Sequence, residues 1–293
     1  MSRGSMIDLH THTDESDGSV PPAALVRSAR EIGLEALAIT DHDTLAGYDR
    51  AAPVAADLGL ELLCGIELST RIEAQPGGRR PPSVHLLGYF LHSAPSTGFR
   101  EWLERMQESR RRRNQALVAK LQSLGVEITL SEVQAIGRNL TGRPHFARVL
   151  VEKGYVATRQ EAFDRYLADH AQAAVEREEP TLIEGIRQVR AGGGMPSLAH
   201  PVRLPHADTE WLRSFLSPLC EAGLQAIEVY HSEHSRGDME RFAELAAEFG
   251  LAATGGSDFH GDNKPSVRLG TGKHGNLQLP YSLLERMREV RVA

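Results

Sequence analysis

The sequence predicts an α/β fold, a distorted seven-stranded (β/α) barrel carrying an all-helical insert. Three observations predict it. Seven short apolar runs recur along the chain of 293 residues, amphipathic helical stretches separate several of them, and the alternation breaks once, where helical periodicity alone remains. Strands alternating with helices imply right-handed βαβ units and a parallel sheet, here closed or nearly closed. Seven runs instead of eight argue for an irregular barrel, and a barrel of about 250 residues plus an insert fits the length. The barrel is drawn from residues 6–95 and 180–293 and the insert from 96–179, with Met1–Ser5 read as an artificial addition ahead of a natural start at Met6.

The strand-like runs are IDLH (7–10), ALAIT (36–40), LLCGIEL (62–68), VHLLGYF (84–90), PSLAH (196–200), AIEVYH (226–231) and LAATGGSD (251–258). After the first, Pro21 and Pro22 open a helix whose Leu25, Val26, Ala29 and Ile32 share a face before Gly33 stops it. Between the sixth and seventh, Met239, Phe242, Leu245, Ala246 and Phe249 line one side of a helix that ends at Gly250. In the insert a long helix runs through Trp102, Met106, Leu117 and Leu121, followed by shorter ones near 131–137, 144–153 and 159–168. The run Arg110–Arg113 spreads around the long helix and reads as a solvated or ion-paired face, with phosphate capture as the lesser alternative. In LTGRPHFAR, Thr141 could cap a helix opened by Pro144, with Arg143 and Arg148 near an N-terminus that already favours anions.

Metal-ligating residue types gather at the strand ends. His10 and His12 follow Met6, Ile7 and Leu9, and a strand period of two points both imidazoles to one side. Asp17 lies in the next loop, Asp41 and His42 close the second run, Glu67 closes the third, and His200, His231, Asp258 and His260 follow the late ones. Singly, each would serve a turn or a hydrogen bond; together they point to a polynuclear metal site at the C-terminal mouth of a barrel. His85 is out of place, near the start of its run.

Composition narrows the chemistry. With Cys64 and Cys220 alone there is no disulfide framework or zinc ribbon, so metals must be held by nitrogen and oxygen, and both thiols read as small hydrophobes. A net charge of -6 without a basic tail argues against a DNA duplex or a membrane surface as partner. No apolar run reaches a membrane span and no signal peptide precedes the first strand, so a cytoplasmic protein is expected. No obligate protein partner is indicated.

The motifs HTHTDESDGS, AITDHDT, GIELS, VHLLGYF, LAHP and GSDFH, in this order and spacing, make the chain resemble the PHP (polymerase and histidinol phosphatase) family over nearly its whole length. The resemblance implies a trinuclear metal site: one metal on His10, His12, Glu67 and Asp258, a second on Glu67, His85 and His200, and a third on Asp17, His42 and His260. It implies two to three divalent ions, manganese first, with iron or zinc as alternatives. His231 falls outside that set and is expected to be a proton donor; Glu67 and Asp258 are expected to be catalytic through the metals, and Asp41 to orient His42. The insert, LTGRPHFAR and AHPVR make the chain similar to the single-domain group that includes 3′,5′-nucleotide bisphosphate phosphatases. That implies removal of the 3′-phosphate of adenosine 3′,5′-bisphosphate to give AMP, with Arg143, Arg148, Arg203 and Lys264 holding the non-reacting phosphate. The small nucleotide would be the partner. Alternatives are a 5′-to-3′ exoribonuclease on short RNA and a histidinol-phosphate phosphatase. Further off stand an amidohydrolase, which would want a lysine where Glu67 stands, and an inactive metal-binding module.

Overall fold

The computed structural model describes residues 6–73, 83–137, 140–204 and 208–290; Met1–Ser5, read above as foreign to the natural sequence, lies outside them. In chain order the elements are β1 (Met6–Asp8), α1 (Pro22–Glu31), β2 (Leu34–Ile39), α2 (Ala46–Leu58), β3 (Glu61–Arg71), β4 (Ser83–Phe90), α3 (Thr97–Ser123), α4 (Leu130–Gly137), α5 (Arg143–Glu152) and α6 (Arg159–Ala162). There follow a π-helical turn (Phe163–Leu167), α7 (Leu182–Ala191), β5 (Met195–Leu198), α8 (Thr209–Glu221), β6 (Ala226–His231), α9 (Arg236–Phe249), β7 (Ala252–Gly256), the short pair β8 (Val267–Arg268) and β9 (Gly272–Lys273), and α10 (Ser282–Glu289). No described helix is long and apolar enough to cross a membrane.

Strands β1 to β7 form one sheet in sequence order. It curls until its edges meet: the His12 N–H donates to Phe259 O at 2.9 Å and the Asp258 N–H to His10 O at 2.8 Å. Gly256 permits this closure, because a Cβ there would stand 2.2 Å from the His10 nitrogen. The sheet is parallel except around β4, which pairs antiparallel with both β3 and β5. This corrects the expectation of an all-parallel sheet. It also explains His85, since the start of an antiparallel strand lies at the same mouth as the ends of its parallel neighbours.

Strand alternation buries Ile7 and Leu9 with Ala36, Ala38, Leu63 and Leu87, and α10 packs Leu283, Leu284 and Met287 against them. Each such leucine, isoleucine or methionine contributes roughly 1.5–3 kcal/mol when fully removed from water. Helix α1 presents Leu25, Val26 and Ala29 inward as its period requires, but Ile32 follows the last turn and is 42% exposed. Helix α9 is capped by Ser235 and ends at Gly250, whose φ of 65° suits glycine. The long α3 joins two cores. Its first half sets Phe99, Trp102 and Leu103 among barrel residues; its second half packs Leu117, Val118 and Leu121 against Phe146, Val149 and Leu150 of α5. Helix α3 thereby ties the cluster around α5 to the barrel core.

Candidate active site

Glu67, near the end of β3, is surrounded by imidazoles. Its Oε1 lies 2.8 Å from His85 Nδ1 and 2.9 Å from His200 Nε2. Its Oε2 lies 3.2 Å from His10 Nε2, 3.1 Å from His12 Nε2 and 3.4 Å from His42 Nδ1. Asp258 Oδ1 stands 3.5 Å from the Nε2 atoms of His10 and His12 and 3.4 Å from His260 Nδ1. Asp17 Oδ1 is 3.2 Å from His260 Nε2, and Asp17 Oδ2 is 3.7 Å from His42 Nε2. The structure thus brings together all nine residues that the sequence singled out as ligands. Eight of them, all but His200, fall into overlapping groups in which one ligand atom per residue lies within 4.8 Å of the others: His10, His12, Glu67 and Asp258; His12, Asp17, His42 and His260; and His42, Glu67 and His85. His42 and His12 each lean toward a second group.

The donor set fits divalent cations. Among the described residues, both nitrogens of the fully buried His12, His42 Nδ1 and Asp17 Oδ1 have no hydrogen-bond partner of good geometry, and a buried polar atom so placed calls for an ion or water. Four of these residues, Glu67, Asp258, His200 and His12, are held in the protonation states that ligation needs. Burial would raise Glu67, but His42, His85 and His10 hold it well below the usual carboxylate range. Asp258 is also held low, against burial, by Lys264, His260 and His10. Burial keeps His200 neutral, pushing it down to about 3, and lowers His12 as well. The backbone contributes strain: His200 and Asp258, just past β5 and β7, have φ of 25° and 58°, sparsely populated conformations that cluster at functional sites.

Sequence reasoning missed Glu228, which lies in the middle of AIEVYH on β6 and is fully buried. Its Oε1 accepts from His10 Nδ1 at 2.8 Å and its Oε2 from the His200 N–H at 2.6 Å, so it aims two ligands at once. Burial would raise its pKa, yet His10 and His231 hold it down to about 2. A carboxylate inside an apolar strand next to metal ligands was the available signal.

Two expected roles are corrected. Asp41 does not reach for His42; it accepts from the Thr13 N–H and Oγ1, both at 2.7 Å, and from Ser16 Oγ at 2.6 Å, pinning the loop that carries Asp17. Burial raises its pKa to about 6. His231 lies behind the ligands, fully buried and off the cavity wall. Its Nδ1 accepts from the Glu233 N–H at 3.1 Å, and its Nε2 stands 3.3 Å from Asp258 Oδ2. It stands beside Asp258 and does not line the cavity into which a substrate would enter.

Above the ligands opens a cavity of about 300 Å³. Its floor is Asp17, His42, Glu67, His85, Asp258 and His260, and its roof comes from the insert, with Arg110, Arg113, Leu140, Arg143, His145 and Phe163. Arg203 Nη2 and Lys264 Nζ stand at its edge, 2.9 and 2.6 Å from Asp258 Oδ2. Arg143 reaches the wall while donating to Asp169 Oδ1 at 2.8 Å. Arg148 pairs with Glu152 at 2.7 Å and lies on a neighbouring cavity instead. Thr141 does not cap α5; Gly142 occupies that place and donates its N–H to His145 Nδ1. In the run Arg110–Arg113 ion pairing holds for Arg110, on Asp43, and for Arg111, on Glu108 at the exposed side, but Arg110 and Arg113 are buried and face the cavity, which corrects the expectation of a solvated face.

A distorted barrel with histidines and carboxylates convergent at its mouth is the architecture of a metal-dependent phosphoesterase, and the comparisons agree. The PHP domain family matches residues 8–176, more than half of the chain, and the chain belongs to that family. It is 32% identical to a 5′-3′ exoribonuclease of Haemophilus influenzae over 86% of this chain and 89% of that protein. It is 33% identical to a 3′,5′-nucleoside bisphosphate phosphatase of Chromobacterium violaceum over 87% of each. A Bifidobacterium adolescentis structure assigned as a metal-dependent phosphoesterase superposes with a TM-score of 0.78 at 31% identity, covering 96% of this chain and 95% of that one.

Proposed function

We propose that this protein is a phosphomonoesterase that removes the 3′-phosphate of adenosine 3′,5′-bisphosphate, giving AMP and phosphate. The observation that carries the reading is a small cavity with candidate metal ligands as its floor and cations as its roof, a shape for one nucleotide bearing two anionic ends. The kinship with the Chromobacterium violaceum phosphatase supports it. Three metals would be held by the sets given above, with manganese our choice because the ligands are imidazole and carboxylate. Divalent cations bound there would polarise the phosphoryl oxygens and lower the pKa of an attacking water.

The chain's own residues do the rest. Arg203 and Lys264, both on Asp258, stand over the floor and are assigned to the oxygens of the reacting phosphoryl group, where negative charge is concentrated. This moves them from the remote phosphate, for which they were first considered, to the reacting one. Leu140, Pro144 and Phe163 offer an apolar wall for a base, and the insert excludes water from the reacting centre. Glu67 keeps five imidazoles in register.

A second reading has its own observation. A further cavity of about 440 Å³ adjoins the first, sharing Asp17, Pro144, His145, His260 and Lys264 and adding Arg148 and Arg159. It could take downstream nucleotides of a short 5′-phosphorylated RNA, the substrate class of an exoribonuclease. The test is kcat/KM of manganese-loaded protein on adenosine 3′,5′-bisphosphate, 3′-AMP, histidinol phosphate and such an RNA. The bisphosphate is expected to be the best substrate; a faster RNA would transfer the assignment to the second reading.

A further inference from the structure

The roof of the cavity carries more positive charge than its carboxylates neutralise. Guanidiniums from Arg71, Arg110, Arg113, Arg143 and Arg177 are served by the carboxylates of Asp43, Asp169 and Glu179. Asp43 holds Arg110 and faces Arg177; Glu179 takes Arg177 and Arg71; Asp169 takes Arg71 and Arg143. Arg113 is the one left over. Its Nε donates to Asn114 Oδ1 at 3.0 Å, and no carboxylate among the described residues pairs with it, although it is only 7% exposed and lines the cavity.

A buried guanidinium without a counter-ion is costly. Burial, together with Arg110, Arg177 and Arg143, pushes its pKa down to about 8, so an arriving anion would relieve the site. Its geometry is also prepared. Asn114 is anchored by donating from Nδ2 to Thr141 O at 2.8 Å, which fixes the amide oxygen that takes Arg113 Nε. The two Nη groups then remain as a planar fork, the shape that binds phosphate through two parallel hydrogen bonds. Helix periodicity accounts for the orientation: Arg110 and Arg113 lie on the buried stripe of Leu103, Asn114, Leu117 and Leu121.

We infer that Arg113, oriented by Asn114, is a specificity-determining residue that grips the non-reacting phosphate of the substrate, a monoester dianion. Arg110, Arg143 and Arg177 flank the same anion. The inference rests on the bisphosphate reading above. It shifts the remote clamp from the mouth of α5 to the interior of α3.

The test uses full-length protein with Arg113→Gln, Arg113→Lys and, as a control on the exposed side, Arg112→Gln. Two quantities are read: the ratio of kcat/KM for adenosine 3′,5′-bisphosphate to that for 3′-AMP, and the calorimetric Kd of 5′-AMP, which carries only the non-reacting phosphate. Arg113→Gln is expected to lower the ratio and weaken 5′-AMP by about tenfold or more, Arg113→Lys to fall between, and Arg112→Gln to match wild type. Should Arg113→Gln fail to fold by thermal melt, Asn114→Ala, which keeps the charge but frees the fork, is expected to lower the same ratio. A wild type that prefers the bisphosphate, with variants that keep both the ratio and the 5′-AMP affinity, overturns Arg113 alone. A wild type that hydrolyses 3′-AMP as well as the bisphosphate overturns the substrate reading and the inference together.

Discussion

Glu228 Oε1 accepts a 2.8 Å hydrogen bond from His10 Nδ1, which fixes the tautomer that leaves His10 Nε2 aimed at Glu67 and Asp258. The other oxygen takes the His200 N–H at 2.6 Å. Glutamine at this position can keep one of these bonds, but its amide NH2 then meets a donor at the other. Glu228→Gln is therefore expected to weaken metal binding by about 10–100-fold while the fold persists. Metal content after dialysis against graded chelator measures it, and wild-type retention of metal would show that the aim of His10 does not depend on this carboxylate.

His231 is expected to behave as a prop for Asp258. Its Nε2 sits 3.3 Å from Asp258 Oδ2, and its Nδ1 is committed to the Glu233 N–H. His231→Asn should then lower kcat by a similar factor on a nucleotide 3′-phosphate and on p-nitrophenyl phosphate, whose leaving group needs no proton. A loss confined to the nucleotide would restore the proton-donor role.

The strands were legible because each is a short apolar run bounded by turns, and the ligands because imidazoles and carboxylates recur where those runs end. Direction was not legible. An apolar run reads the same whether its neighbour is parallel or antiparallel, so the reversal at β4 stayed hidden although His85, misplaced for a parallel strand, was its trace. Partners were legible only where residue type dictates them. Asp41 beside His42 in sequence faces Thr13 and Ser16 in space, and which of four consecutive arginines turns inward depends on a stripe whose polar members, Arg110 and Arg113, carry no hydrophobic signal.

Metal loading should release protons. Burial disfavours a charged His10, but Glu228, Glu67 and Asp258 outweigh it and raise its pKa well above the usual value; His260 is raised by Asp17 and Asp258 in the same way. A cation must displace those protons, so affinity is expected to fall as pH falls through the raised values. Manganese titrations by calorimetry in buffers of different ionisation enthalpy read the proton count, and an enthalpy independent of buffer would contradict it. His10→Ala or Asp258→Ala, each losing a ligand without substitute, should lose metal and turnover together.

Glu179 ties the end of the insert to the barrel. Its carboxylate, 5% exposed on the side chain, takes Arg177 Nε at 2.5 Å and also Arg71 Nε from β3. Burial pushes its pKa up, but Arg177 and Arg71 outweigh burial and hold it below the ordinary carboxylate range. A pKa lowered on folding contributes stability above the unfolded value of about 4.3, and that contribution is lost as pH falls through the folded value. Glu179→Gln leaves two buried guanidiniums short of a counter-charge, so at pH 7 it is expected to cost about 3 kcal/mol, with Asp169 still holding Arg71. Urea denaturation of both proteins from pH 7 to pH 3 should show the gap narrowing below about pH 4, as the wild-type carboxylate takes up its proton and comes to resemble the amide. A gap that stays constant across that range would mean that Glu179 acts by shape and hydrogen bonding alone, with its charge contributing nothing.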